Sequence, residues 1–222
     1  MDHYRQLKGE IVETALACKR NPAEIRLVVV SKGQSWERAA CIYQEGCRDF
    51  GENKLQEALP KIETAPVDCR WHFIGTLQKN KVKKVVGAFA LIHSVDSLEL
   101  AKKISEVAVE KNERAAILLQ ANTSGEKSKH GMSADECLRE FGDIQSLPGL
   151  DVQGLMTIAP LIEDEGVIRD AFRNLRILRD TIVGEYHPLN GLPHLSMGMS
   201  HDFRLAIAEG ATILRIGTKI WS

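Results

Sequence analysis

The sequence has few cysteines, almost no net charge and no long apolar run, and each absence excludes a class of protein. The five cysteines are odd in number and scattered without a C-x-x-C pair, which argues against a disulfide framework or a zinc site. The formal net charge of -1 argues against a dedicated nucleic-acid binder. No apolar stretch is long enough to span a membrane, and the polar N-terminus (residues 1–8) is unlike a signal peptide. These absences predict a cytoplasmic protein without nucleic-acid, membrane or metal partners.

Short apolar segments alternate with helical patterns along the whole chain. Such alternation favours a parallel sheet covered by helices, and eight units predict a single (β/α)8 TIM barrel over residues 1–222. A doubly wound open sheet is the alternative. An additional N-terminal helix over residues 4–19 is expected to take the place of the helix that would follow strand eight. The eight predicted strands are residues 26–31, 47–51, 71–75, 90–95, 115–122, 151–157, 194–198 and 212–216.

A lysine and an arginine occupy unusual positions on the first and last predicted strands. Lys32 follows the apolar run 27–30, and Arg215 lies inside the apolar segment 213–216. Strands one and eight are neighbours in a closed barrel, so the two cations should lie close together. A desolvated amine beside a second cation is nucleophilic and suits an imine with a carbonyl ligand, although Lys32 could also extend to solvent. Arg215 could face a ligand acceptor or pair with a buried carboxylate such as Asp202.

Glycine and hydroxyl residues follow the last two predicted strands. Ser200 ends one strand just before a helix, and Gly217 and Thr218 directly follow the other. Barrel proteins often bind phosphate at these two loops, because glycine allows close backbone approach and hydroxyls add donors. Two ordinary turns with a capping serine are the alternative. Together with Lys32, the pattern predicts a pocket for a phosphorylated aldehyde.

Two further polar residues lie near the ends of predicted strands two and three. Asn53 could donate a hydrogen bond to a hydroxyl on a ligand ring. His72 could serve as an acid, a base or a stacking group, or simply be a satisfied core residue. A basic loop over residues 124–131 could cover the rim or remain solvated.

Several ordered motifs resemble the YggS/PROSC family of pyridoxal-phosphate homeostasis proteins, from about Arg26 to Trp221. The resemblance implies a barrel of the alanine-racemase type (fold type III), with pyridoxal 5'-phosphate as the cofactor, held as a Schiff base. The motifs that carry it are Val30-Ser31-Lys32, residues 50–57, residues 71–81, His93-Ser94-Val95-Asp96, Gly154-Leu155-Met156, residues 195–200 and Arg215-Ile216-Gly217-Thr218.

The resemblance also assigns roles to individual residues. It implies that Lys32 forms the Schiff base, and that Arg215 faces the pyridine nitrogen of the cofactor. Asn53 and Met156 fall at positions expected to line the cofactor ring, with His72 as a further candidate in the site. The remaining matches form the phosphate-binding set, which consists of Ser200, Gly217 and Thr218.

Two departures from the family pattern leave these residues untouched. Gln34 stands where many members have a second basic residue. A cofactor-transfer role assigned to that basic residue therefore lacks its side chain in this chain. Residues 219–222 also differ from the ending of small and aromatic residues that is usual in the family.

A cofactor site of this kind fits either a carrier or an enzyme. An arginine opposite the pyridine nitrogen keeps it unprotonated and limits the chemistry. A racemase needs a second base, yet Tyr4, Tyr43 and Tyr186 fall on predicted helices, and no residues remain after strand eight for an additional β domain. We therefore predict a monomeric protein that buffers pyridoxal phosphate and delivers it to apo-enzymes. The alternatives are a weak racemase or lyase using the same site, and a Schiff-base aldolase without cofactor.

Overall fold

Eight parallel strands, β1 to β8, close into a barrel in which each strand pairs with the next along the chain. The computed structural model describes residues 2–124 and 130–222. Closure is made by β1 and β8, which pair from Arg26↔Ile213 to Val29↔Ile216. The predicted barrel is confirmed, and the open sheet is excluded. The strands are β1 Arg26–Val30, β2 Asp49–Glu52, β3 Arg70–Phe73, β4 Leu91–Val95, β5 Ala115–Gln120, β6 Leu150–Met156, β7 His194–Ser196 and β8 Ile213–Ile216.

Helices surround the barrel, and several of them begin at polar caps that are visible in the sequence. Ser35, Ser97 and Ser133 each accept a backbone N–H at the start of a helix, and Ser133 forms a capping box with Glu136. No helix in the described ranges is long and apolar enough to cross a membrane. The helices are α1 Asp2–Ala17, α2 Trp36–Gln44, α3 Leu55–Thr64, α4 Val82–Val85, α5 Leu98–Glu110, α6 Ala134–Ser146, α7 Glu165–Tyr186, α8 Phe203–Ala208 and α9 Thr218–Trp221, with 3-10 turns at Pro22–Glu24 and Lys79–Lys81.

The N-terminal helix completes the ring of helices. Helix α1 packs against α8 and α9, which is the position expected for a helix following β8. Its apolar side is buried through Tyr4, Leu7, Ile11 and Ala15. The one-turn helix α9 was not predicted, because four residues are too few to show a helical period.

Apolar residues form two separate layers on either side of the strands. The larger layer lies between the sheet and the helices and includes Phe50, Phe141 and Phe172. A small cluster fills part of the barrel interior and consists of Val28, Leu91, Leu118, Met156 and Ile213. Neighbouring residues on a strand thus point to opposite sides, as the period of two requires.

A chain of hydrogen-bonded polar side chains also runs through the barrel interior. Arg215 Nη1 lies 2.6 Å from Ser196 Oγ, which lies 2.8 Å from His93 Nδ1. The other nitrogen of His93 lies 2.9 Å from His72 Nδ1, and His72 Nε2 lies 3.0 Å from Asp49 Oδ1. We call these five residues the interior relay. Desolvation by burial lowers the pKa of both histidines, so both are neutral in the folded protein.

The relay makes the fold sensitive to acid. Unfolded histidine binds a proton near its ordinary pKa of 6.5, whereas the lowered pKa values of His72 and His93 oppose protonation in the fold. The contribution of these two neutral histidines to stability is therefore fully present above that pH and decreases as the pH falls below it. We expect the free energy of unfolding, measured in urea, to decrease from about pH 7.5 to about pH 5.5. The exposed-histidine variant His3→Gln should show the same profile, and a flat profile in the wild type would contradict neutral buried histidines.

Candidate functional site

A cavity of about 630 Å³ opens at the end of the barrel where the strands finish. This is the end at which barrel proteins place their active sites. The closure of β1 onto β8 brings Lys32 and Arg215 into the same cavity, as their strand positions predict. Six of the eight predicted site residues line it, namely Lys32, Asn53, Ser200, Arg215, Gly217 and Thr218.

Lys32 lies in a tight turn directly after β1. The N–H of Gln34 donates to Ser31 O (3.0 Å), and Gly33 adopts a φ of 72° and donates its N–H to Glu57 (3.0 Å). Lys32 itself is exposed and, among the described residues, forms no hydrogen bond or ion pair. The expectation of a desolvated amine is therefore wrong for the protein alone. The backbone of the turn is fixed, while the amine is free to reach a ligand.

A buried ion pair supports the turn from the helix side of the barrel. Glu52 is fully buried, and one of its carboxylate oxygens accepts from Ser31 Oγ (2.6 Å) and Lys61 Nζ (2.6 Å). Lys61 also donates to the carbonyl of Ser31 (2.8 Å). The indole of Trp221 donates to the carbonyl of Val30 (2.7 Å), so the C-terminal helix also fixes the end of β1. Sequence reasoning missed Lys61, because a lysine on an amphipathic helix normally faces solvent.

Arg215 is buried on β8, the strand next to β1, and is held by two hydrogen bonds. Its two terminal nitrogens donate to Ser196 Oγ (2.6 Å) and to the carbonyl of Thr157 (2.8 Å). Desolvation lowers its pKa to about 10, which still leaves the guanidinium charged at neutral pH. Asp202 opposes the lowering electrostatically, but it forms no ion pair with Arg215 in the described residues and instead accepts the N–H of Met199. The cation is thus oriented by neutral groups.

The cavity has a positive lining. Lys32, Lys54 and Arg215 line it, and no described lining residue carries a carboxylate. Lys54 is partly neutralised by Glu57, with an Nζ–Oε1 distance of 3.5 Å. Confinement in a low-dielectric wall strengthens the attraction of such cations for an anion. Sequence reasoning missed several lining residues on strand ends and loops, which are Lys54, Thr76, Gln120 and His201.

The loops after β7 and β8 lie side by side at one end of the cavity. Ser200 Oγ accepts the N–H of Lys219 (3.3 Å), which joins the two loops directly. A Cβ on Gly217 would lie 3.0 Å from the carbonyl of Val30, so glycine allows β8 to approach β1 closely here. The hydroxyls of Ser200 and Thr218 therefore adjoin the close approach between β1 and β8, in a geometry suited to an anion.

Asn53 lines the same cavity and has an unsatisfied polar atom. Its side-chain oxygen is buried and has no hydrogen-bond partner in the described part of the chain. A buried amide without a partner costs about 1–3 kcal/mol, which a ligand could recover by hydrogen bonding. Gly75 allows the chain to pack directly against the Asn53 backbone, because a Cβ at position 75 would lie 2.1 Å from the backbone oxygen of Asn53.

The variant Gly75→Ala should therefore destabilise the fold. The methyl group cannot fit without moving the Asn53 backbone, and such overpacking costs about 1–3 kcal/mol. Urea unfolding measures the change. The control is Gly184→Ala in α7, where a Cβ meets nothing within 4 Å and the added helix propensity should stabilise slightly. Equal stability of Gly75→Ala and the wild type would contradict the close approach.

Two predicted site residues lie outside the cavity lining. His72 is a buried member of the interior relay, and Met156 belongs to the apolar cluster inside the barrel. Both side chains point into the barrel, but neither belongs to the lining. Most of the predicted basic loop over residues 124–131 lies outside the described residues, although His130 lines the cavity.

Comparison with known proteins identifies the family. Residues 12–221 match the alanine racemase N-terminal domain family. A pyridoxal phosphate homeostasis protein of Aquifex aeolicus is 46% identical over 180 residues, covering 81% of this chain and 78% of that protein. One from Synechocystis is 42% identical over 199 residues, covering 89% and 90%.

Solved structures agree with the sequence comparison. PipY of Synechococcus elongatus, solved with PLP bound, has a TM-score of 0.83 and 34% identity, covering 96% of this chain and all of that one. The sequence matches cover most of this chain and of each relative, and the structural match with PipY covers the barrel. The chain therefore belongs to the family of pyridoxal phosphate homeostasis proteins, within the alanine racemase N-terminal domain family.

Proposed function

We propose that the cavity binds pyridoxal 5'-phosphate as a Schiff base on Lys32. One observation carries the proposal: a free lysine amine and a buried, oriented arginine share a cavity that has no carboxylate among its described lining residues. An aldehyde that also bears a phosphate needs an amine, an anion site and a positive field. The Asn53 amide oxygen, which has no hydrogen-bond partner among the described residues, is a further indication that the cavity binds a polar ligand.

Each lining residue has a role that follows from its chemistry. Ser200, Gly217 and Thr218 hold the phosphate through hydroxyl and backbone donors. Arg215 directs its remaining N–H groups toward the pyridine nitrogen, and Asn53 hydrogen-bonds a ring substituent. His72 and Met156, placed inside the barrel, support this arrangement from beneath the ring. The whole chain, residues 1–222, acts as one cofactor-binding domain.

The arginine opposite the ring limits what the site can catalyse. Bound pyridoxal phosphate supplies an electrophilic aldehyde and an electron-accepting ring. Lys32 would form a carbon–nitrogen double bond to the aldehyde carbon with loss of water. Water would return the free aldehyde and the Lys32 amine, whereas a second amine would displace Lys32 and keep the carbon–nitrogen double bond. Arg215 remains protonated, donates a hydrogen bond and cannot take a proton, so the ring nitrogen stays unprotonated. Reversible covalent storage is favoured over carbanion chemistry.

The lining residues support a carrier rather than an efficient racemase. None of the tyrosines, Tyr4, Tyr43 or Tyr186, is among the described lining residues. A two-base racemisation would therefore depend on Lys54, His130 or His201, the other basic side chains in the described lining. We infer that the protein buffers pyridoxal phosphate in the cytoplasm as a monomer and passes it to apo-enzymes. Its relatives' description as homeostasis proteins supports this inference.

The cofactor proposal is tested by absorption and trapping. Wild-type protein titrated with pyridoxal phosphate should develop a yellow imine band, and borohydride reduction followed by peptide mass spectrometry should locate the adduct on Lys32. Absence of the band would refute the proposal. An adduct trapped instead with a sugar phosphate or keto acid alone would identify an aldolase-like protein without cofactor.

The carrier proposal is tested on the loaded protein. Loaded protein should restore activity to an apo-enzyme, and amino-acid turnover should stay well below about 1 s⁻¹, the lower end of ordinary enzyme rates. Proton exchange at the α-carbon of alanine, followed by NMR in deuterated water, measures that turnover. A rate within the ordinary enzymatic range would replace the carrier with a racemase.

A further inference from the structure

The interior relay has a single direction of hydrogen-bond donation. Arg215 can only donate, and Asp49 is an ionised acceptor: burial raises its pKa, but the hydrogen bonds from Arg70 and His72 outweigh that effect and lower it. Between these ends lie Ser196, His93 and His72. Each neutral ring has one donor and one acceptor nitrogen, and the Ser196 hydroxyl donates once and can accept twice. The ionised acceptor at the Asp49 end therefore determines the direction of every bond along the relay.

The ring protons follow from this direction. Ser196 accepts from Arg215 and must donate to His93 Nδ1. His93 then donates from Nε2 to His72 Nδ1, and His72 donates from Nε2 to Asp49. Both rings are neutral and carry the proton on Nε2, so each of the four contacts has one proton and no contact has two.

The opposite direction would break the relay at its far end. If His72 donated from Nδ1, its neutral ring would place an acceptor nitrogen 3.0 Å from the Asp49 carboxylate. A doubly protonated His72 would restore that bond, but His93 would then have to accept at Nε2 and donate from Nδ1 to Ser196. Ser196 would receive two donors, and its own proton would lose its acceptor. Such unsatisfied groups are costly in a buried site.

The Asp49 end of the interior relay lies away from the cavity, at the end of the barrel where the strands begin. Asp49 is the first residue of β2, and its two oxygens accept from Arg70 Nε (2.9 Å) and Nη2 (2.6 Å). Arg26, the first residue of β1, lies 3.9 Å from the same carboxylate. Asp49 does not line the candidate site. The relay thus runs from one end of the barrel to the other.

We propose that Asp49, His72, His93 and Ser196 are positioning residues that hold the Arg215 guanidinium in one orientation toward the cavity. The inference rests on the proposed function for its consequence, since Arg215 faces the pyridine nitrogen only if pyridoxal phosphate binds there. Ser196 directs its lone pair at Nη1, and Thr157 O fixes Nη2. The other guanidinium N–H groups are then presented to the ligand. A change at Asp49 alters the environment of the ring without touching it.

The proton positions can be tested without any ligand. Protein labelled with ¹⁵N-histidine should show His72 and His93 as neutral Nε2–H tautomers in long-range ¹H–¹⁵N spectra at neutral pH, assigned by the variants His72→Gln and His93→Gln. An Nδ1–H tautomer or an imidazolium at either ring would overturn the relay.

The positioning role is tested with a rescue series on pyridoxal phosphate binding. Ser196→Ala removes the link to Arg215 and should weaken affinity about tenfold and shift the imine band, whereas Ser196→Thr retains the hydroxyl and should restore both. Asp49→Asn, which can reverse the donation, should shift the band from outside the cavity. The control is Ser105→Ala, a buried serine bonded to Pro148 O in the outer layer, which should leave both readouts unchanged.

The outcomes separate this inference from the proposed function. If wild-type protein binds no pyridoxal phosphate, the proposed function fails, and the histidine spectra alone decide whether the relay exists. If the wild type binds but Ser196→Ala and Asp49→Asn, shown to be folded by circular dichroism, match it in affinity and absorption, the positioning role is overturned and the proposed function stands.

Discussion

Lys32→Ala is expected to abolish covalent binding of pyridoxal phosphate and leave the protein folded. Lys32 is exposed and forms no hydrogen bond or ion pair with the described residues, so its removal should cost little stability. The imine band should disappear, and borohydride should trap no adduct in the cavity. Loss of the covalent bond and of one cation should weaken cofactor binding at least about 100-fold, a loss of about 2.7 kcal/mol.

Two matched variants separate the bond from the charge. Lys32→Arg keeps the cation but cannot form the imine, so it should retain weak, colourless binding. Lys54→Ala removes the other lysine of the lining, whose charge is partly paired with Glu57, and should keep the imine band. An adduct that persists in Lys32→Ala and vanishes in Lys54→Ala would move the Schiff base to Lys54. Unchanged thermal unfolding in all three variants would confirm that the losses are local.

The barrel and the pairing of its distant ends were predictable from the sequence. Eight apolar segments separated by helices leave few alternatives, and closure of such a sheet necessarily places β1 beside β8. The meeting of Lys32 and Arg215 follows from that topology alone. The loops carrying Ser200 and Thr218 were found for the same reason, because neighbouring strands bring their ends together.

Depth within the barrel was not predictable. His72 lies near a strand end in the sequence, but the β3–β4 register, with His72 opposite Leu91, places it beside His93 rather than in the cavity lining. For Lys32, the sequence left open whether the amine would be desolvated or extend to solvent. The structure shows it exposed, because β1 ends at Val30, one residue before the predicted strand end, and Lys32 lies in the turn Ser31–Gln34. Side-chain depth depends on register and strand tilt, which a single strand pattern does not contain.

Lys61→Met is expected to destabilise the fold by about 3–5 kcal/mol, because it leaves the buried Glu52 carboxylate without its cation. One oxygen of Glu52 already has no partner among the described residues, and the other would retain only the Ser31 hydroxyl. Urea unfolding at neutral pH measures the loss. Lys103→Met breaks an exposed pair with Glu106 on α5 and should cause no measurable change.

The double variant Glu52→Gln/Lys61→Met tests whether the cost is an uncompensated charge or lost packing. With the charge removed, most of the stability should return, and the two substitutions should couple by more than about 2 kcal/mol. Additive losses would mean that packing dominates.

Because Lys61 and Glu52 both hold Ser31, the single variant Lys61→Met should also slow the formation of the imine band at Lys32 in the fraction that remains folded. Recovery of stability without recovery of that rate would show that the ion pair positions the turn and does more than support the fold.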